Sequence, residues 1–195
     1  MNNYLKQLIR CIPEFKMELH QDGYPIACLL LINTEKSFNA LCLLMKKGYF
    51  LEANTISRFI VEQLCYCLAI YNKSFEEIEK IEVTKTIKYL KLIQVEFPRI
   101  YGVLSINAHF GLKSLVRMIE FRKNKKTKIV EMRIKDYKRN KDNDILSIYV
   151  VLVMLLYFVI EHIAKEKKET SLGKVLGIGN RFFRTLKKKR SQLKI

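Results

Sequence analysis

Arg58, Glu62 and His109 carry most of the reactive chemistry this sequence offers: a fixed cation, a carboxylate and a group that titrates near neutral pH. Arg58 and Glu62 stand four residues apart in Ile56-Ser57-Arg58-Phe59-Ile60-Val61-Glu62, so a helix puts them on one face. The plain reading is an exposed ion pair worth about 0.3–0.5 kcal/mol. The alternative is a partly buried pair with a functional role. Glu52 and Gln63 are the only other long polar side chains among these apolar neighbours. His109 falls in Ser105-Ile106-Asn107-Ala108-His109-Phe110-Gly111, where the chain changes direction. A loop on a rigid scaffold can project such a ring into a cleft. The other two histidines have ordinary explanations. His20 ends a helix, where it can cap the last carbonyls; His162 follows an apolar run beside Glu161 and reads as a satisfied core or interface side chain.

Other chemistries lack their residues. There is no GxxxxGK[ST] loop for a P-loop nucleotidase, and no GxSxG, HExxH or paired CxxC. Gly173–Gly179 holds three glycines without a preceding strand, a weak phosphate cradle. The five cysteines, Cys11, Cys28, Cys42, Cys65 and Cys67, are odd in number and lie in apolar helical settings. Reduced thiols in a cytoplasmic protein are the expectation, because Met1–Arg10 lacks an apolar secretion core. Cys65-Tyr66-Cys67 lacks the spacing of a zinc knuckle. No metal and no cofactor are expected.

Charge gives the strongest compositional signal. The net charge is +17 over 195 residues. Residues 113–141 hold 12 basic and 3 acidic side chains, and residues 181–195 hold 7 basic and none acidic. Residues 1–112 and 142–180 are nearly neutral, so the cations form two local footprints that suit a polyanion, RNA above all. The first comprises Lys123, Lys125, Lys126, Lys128, Arg133, Lys138 and Arg139, and the second Arg181, Arg184, Lys187, Lys188, Lys189 and Arg190. Phe121, Tyr137, Phe182 and Phe183 are the candidates for stacking on bases.

Two segments resemble a known family. Gly48–Glu62 reads as a Gly-containing turn followed by Ala-x-x-x-x-Arg-x-x-x-Glu, and Tyr101–His109 as Tyr-x-x-Leu-Ser-x-x-x-His. Together they resemble uncharacterised bacterial helical families of the HEPN superfamily, over roughly residues 25–165. The resemblance implies a metal-independent endoribonuclease of a toxin or antiphage-defence type. It also implies a homodimer and an antitoxin or defence-system protein as partner. The superfamily's usual Arg, four to six residues, then His is absent here; Arg99 stands ten residues before His109. Catalysis therefore requires Arg58 and His109 to meet in space. His109 would then exchange protons with the attacking 2′-hydroxyl and the leaving oxygen, and Arg58 would hold the phosphorane oxygens. Glu62 would orient either one, and Asn107 or Tyr101 would contact the phosphate or a base. The alternatives are a non-catalytic nucleic-acid-binding module and a peripheral membrane protein with Arg181–Arg190 as a basic amphipathic helix.

The elements that must position these residues follow from hydrophobic periodicity. Seven glycines and three prolines are few, which favours an all-α bundle of about five to seven helices. A short strand or extended arm near 126–135 is the exception, with a charged helical extension as its alternative. Helices are expected over Asn3–Leu19, from Pro25 to about Lys47, and over Leu51–Tyr71. Ile26–Ile32 is apolar all round, as a central helix would be. A fourth helix starts at Ser74 and runs to just before Pro98, and a short one covers Arg99–Ser105. Ile145–Ala164 forms the most apolar helix; its 16-residue nonionic run is short for a bilayer span, so a buried bundle helix is expected and a membrane is not. Gly173, Gly177 and Gly179 punctuate a break. Residues 1–170, including the basic arm 113–141, make the bundle domain, and 171–195 a basic C-terminal helix or tail.

Overall fold

Gly48 turns the chain between its two longest N-terminal helices, α2 (Gly23–Lys47) and α3 (Phe50–Ile70). Its φ of 83° is one a side chain would resist. In that conformation Gly48 N–H donates to Met45 O at 3.1 Å and Tyr49 N–H to Leu44 O at 2.9 Å, closing the last carbonyls of α2. The far end of the hairpin is as tight. A Cβ on Gly23 would lie 1.8 Å from Ile70 O, and Gly23 N–H donates to Lys73 O at 3.0 Å. Two glycines thus bring α2 and α3 together along their length. The seam buries Ala27, Leu31, Phe38 and Leu41 against Ile60, Leu64, Cys67 and Leu68, about 1.5–3 kcal/mol for each large apolar side chain.

The computed structural model describes residues 2–15, 23–94, 97–99, 101–102, 119–123, 130–134 and 141–192. They form an all-α helical bundle with one two-stranded hairpin. Helix α1 (Asn2–Cys11) ends in a short 3-10 turn, Ile12–Glu14, at Pro13. Helix α4 (Phe75–Glu79) opens on a capping box: Ser74 N–H donates to Glu77 at 3.0 Å, and the Ser74 hydroxyl takes the N3 amide. Strands β1 (Ile119–Lys123) and β2 (Val130–Ile134) pair antiparallel, with Glu120 opposite Arg133 and Arg122 opposite Glu131. Helices α5 (Lys141–Glu166) and α6 (Leu172–Gln192) complete the chain. Helix α5 lies against α3 and buries Leu152, Leu156, Ile160 and Ile163 completely; Tyr149 meets Phe38 edge to face at 5.6 Å.

Three sequence expectations need correction. Helix α4 stops at Glu79, and a 3-10 segment, Val83–Leu92, replaces its expected run towards Pro98. Ile81, Val83, Thr84, Thr86 and Ile87 are β-branched, which weakens an α-helix, and the Thr86 hydroxyl donates to Val83 O at 2.6 Å. The break before the C-terminal helix lies at 167–171, not at the glycines. Lys168, with φ 50°, supplies the left-handed residue, and Gly173, Gly177 and Gly179 all sit inside α6. A Cβ on Gly179 would come within 2.2 Å of the Tyr157 ring, so this glycine allows α6 to close on α5. Finally, α2 is not buried all round, because Leu29 and Leu43 stand 62% and 59% exposed. Both α2 and Ile148–Glu166 of α5 are long and apolar enough to cross a membrane, with 33% and 56% of their apolar windows buried.

The turn after α5 is held by polar contacts. Tyr24 donates its hydroxyl to the carboxylate of Glu169, and both are buried. Burial first, and that hydrogen bond second, push the Tyr24 hydroxyl far above its ordinary value. The Lys167 ammonium lies 5.3 Å from the Tyr24 ring centroid and 5.7 Å from that of Tyr71, a cation–π arrangement.

Candidate functional site

Helix α3 carries Arg58 and Glu62 on the same face, and the side chains meet: Arg58 Nε donates to Glu62 Oε1 at 2.9 Å. They are 26% and 24% exposed, so the pair is mostly but not fully withdrawn from water. Neighbouring polar positions are absorbed by the fold. Ser57 is buried and donates to Ala53 O at 2.8 Å; Gln63 accepts from Ser37 at 3.1 Å.

The third member comes from far along the chain. The 3-10 segment packs on α3 through the buried Thr86 and Leu90, which returns the following residues to the face that holds Arg58. Residues 97–99 and 101–102 are helical, and Phe97 lies 5.8 Å from Phe158 of α5, ring to ring. From there Tyr101 donates its hydroxyl to Glu62 Oε1, also at 2.9 Å. The Arg58 guanidinium carbon sits 5.3 Å from the Tyr101 ring centroid. One carboxylate oxygen therefore gathers two donors, and the phenol ring covers the cation.

The electrostatics follow from that arrangement. The Glu62 hydrogen bond holds the Arg58 guanidinium above its already high range. Burial first, then the Glu62 hydrogen bond, raise the Tyr101 hydroxyl, with Arg58 pulling the other way. Cys65, one turn on and buried, is pushed up to about 12 by burial and then by the charge on Glu62. The cluster is a cation held in direction by a carboxylate that also accepts from a neutral phenol.

Arg58, Glu62 and Tyr101 are thus brought together, whereas His109 and Asn107 lie outside the described residues. His162 has a structural setting: its Nε2 is 3.3 Å from the Tyr71 hydroxyl, with the two rings edge to face. His20 lies outside the described residues. None of the five cysteines forms a disulfide, and four are buried, with Cys42 partly so.

The basic sets divide in the same way. Lys123 belongs to β1 and Arg133 to β2, while Lys125, Lys126, Lys128, Lys138 and Arg139 lie outside the described residues, as does Tyr137. Arg181, Arg184, Lys187 and Lys188 are exposed on α6, and Lys189 and Arg190 continue that helix. Phe182 and Phe183 do not stand out as stacking platforms. Phe182 is 2% exposed and meets Tyr4 at 5.3 Å, and Phe183 meets Tyr157 at 5.5 Å, so their faces belong to the bundle.

Two groups escaped the sequence reading. One is the Tyr24–Glu169 contact, which no spacing announces. The other is a groove between α1 and α6 that involves Arg10 and Lys174. Its signal was available, because Gly173, Gly177 and Arg181 recur every four residues on one helical face. No family model matches the chain, and no curated protein or solved structure matches it either.

Proposed function

We propose that this is an RNA-binding helical protein that grips the phosphate backbone with the outward face of α6 and the basic arm 113–141. The observation that carries this reading is the two-sided build of α6. Phe182, Phe183 and Leu186 pack on the bundle, and Tyr4 binds Thr185 across their hydroxyls at 2.8 Å, while Arg181, Arg184, Lys187 and Lys188 face solvent. A docked helix with one cationic face presents fixed charges to a polyanion. The same packing removes much of the apolar side that a helix lying on a lipid surface would need. The test is RNA binding at rising salt: affinity should fall steeply and linearly on logarithmic axes, and a salt-insensitive interaction would overturn the reading.

A second reading, cleavage without a metal ion, is favoured by the convergence of Arg58, Glu62 and Tyr101. In it the 2′-oxygen bonds to phosphorus, the P–O5′ bond breaks, and His109 takes the 2′-hydroxyl proton before a proton reaches the leaving oxygen. Arg58 steadies the non-bridging oxygens, with Glu62 fixing its direction. The HEPN-like motifs extend this to a cytoplasmic toxin or antiphage nuclease that works as a homodimer beside an antitoxin or defence-system partner. RNA incubated with chelator should yield cyclic-phosphate and 5′-hydroxyl ends. Intact RNA, or equal cleavage by Arg58→Ala and His109→Ala variants, would leave only the binding reading.

A further inference from the structure

We infer that the 3-10 segment Val83–Leu92 is a binding ridge for single-stranded RNA, whose phosphates are held by Lys85, Lys88 and Lys91 in a row. This deepens the RNA-binding reading and rests on it. The ridge is a further contact surface, separate from α6 and from the arm 113–141.

The row follows from an unusual backbone. Ten consecutive residues hold 3-10 geometry, where runs longer than three or four are uncommon. Three residues complete a turn, so every third side chain falls on one line, about 6 Å from the next. One line carries Lys85, Lys88 and Lys91, and all three are exposed. Another carries Ile87 and Leu90, with Leu90 fully buried where the segment packs on α3. In an α-helix each successive lysine would turn by about 60°, and the row would fan out over the surface. The 3-10 backbone instead sets three cations in line, at a spacing of the same order as that between neighbouring phosphates of one nucleic-acid strand.

The surroundings of the row favour an unpaired strand. The third line of the segment exposes Val83 and Leu92, at 48% and 53%, beside the lysines. A single strand has bare base faces to lay on such apolar side chains, and a duplex hides them. The three cations do not contribute equally. Lys85 Nζ already donates to Glu82 Oε1 at 2.7 Å, with both groups largely in water, so a phosphate must compete with that pair. The Lys88 ammonium lies 5.4 Å from the Tyr89 ring centroid, which steadies it over the segment. Lys88 and Lys91 therefore carry most of the binding. Glutamates between positions 76 and 82 cancel these lysines in any count of net charge over the region, so charge segregation overlooks the row.

The probe is oligouridylate, which stays unpaired, titrated against the full chain at rising salt. Lys88→Gln with Lys91→Gln should lower the logarithmic salt slope by about 1.4, the loss of two single-strand contacts, and should weaken binding several-fold while the melting temperature holds. A second variant keeps the net charge and tests the alignment. Lys91→Gln with Thr84→Lys moves one cation from the row to another exposed position, and it should bind as weakly as Lys91→Gln alone. Affinity restored by the moved charge, or a slope unchanged in the double glutamine variant, would overturn the ridge while RNA binding itself stands. Poly-glutamate competing as well as oligouridylate of equal charge would overturn the assignment to RNA. Binding of duplex RNA without oligouridylate would remove the ridge and leave the RNA reading; binding of neither would remove both.

Discussion

Tyr101 reaches 39 residues back along the chain to donate its hydroxyl to Glu62 Oε1 at 2.9 Å, the same oxygen that receives Arg58 Nε. Sharing one acceptor couples the two donors, because whatever moves the carboxylate moves both. The cluster is a quarter exposed, so its stabilising effect is small and its geometric effect is larger.

Tyr101→Phe and Glu62→Gln should each cost about 0.5–1.5 kcal/mol, and the double variant should cost less than their sum by roughly 0.5 kcal/mol or more. Urea denaturation of the four proteins closes the cycle. Strict additivity would mean that the shared oxygen couples nothing.

Backbone conformation at two positions predicts opposite outcomes. Lys168 holds φ 50° at the end of α5, so Lys168→Gly should raise stability by about 1 kcal/mol through relief of left-handed strain. Gly179→Ala should lower it by about 1–3 kcal/mol, because the new methyl meets the Tyr157 ring. Thermal unfolding of both variants checks the pair.

Alkaline pH should destabilise the fold through its buried thiols. Burial first, with nearby negative charge after it, raises Cys28 and Cys65 from 9.0 to about 12. Thiols in the unfolded chain ionise near the ordinary value, while these stay protonated when folded. Their contribution is complete below about pH 8 and is lost progressively as pH rises from about 9 towards 12. Denaturant midpoints measured from pH 7 to pH 10.5 should fall at the alkaline end, and Cys65→Ala should flatten that fall.

Charge on α6 separates from its packing. Lys187→Gln with Lys188→Gln should leave the melting temperature unchanged and reduce the salt dependence of RNA binding by a slope of about two. Phe182→Ala should destabilise the protein by about 3–5 kcal/mol, since this ring is buried against Tyr4. Equal loss of RNA affinity in a folded protein lacking unrelated surface lysines would remove the special role of α6.

Much of the helical frame was legible because periodicity and punctuation are local. Gly48 closed α2 where expected, and Ser74 opened α4 with a capping box. Two of the misreadings share one cause. Gly173, Gly177 and Gly179 looked like a break, yet the chain breaks at Lys168, where Lys takes a conformation that glycine usually supplies. A glycine states only that a side chain is missing, and its neighbours decide whether a turn, a packed ring or open space explains that. Phe182 and Phe183 were misjudged as stacking groups for the same reason, since an aromatic residue beside arginines reads alike whether it faces a base or Tyr4.

The sequence by itself determined the all-α class, most helix positions, the segregation of charge and the pairing of Arg58 with Glu62, because each depends on spacing within a few residues. Only the tertiary structure decided that Tyr101 joins that pair, that Tyr24 meets Glu169 across 145 residues, and that Arg10 comes to face Lys174 and Arg181. Those contacts depend on how helices pack, and packing is set by the summed shape of many side chains, which no short window of sequence contains.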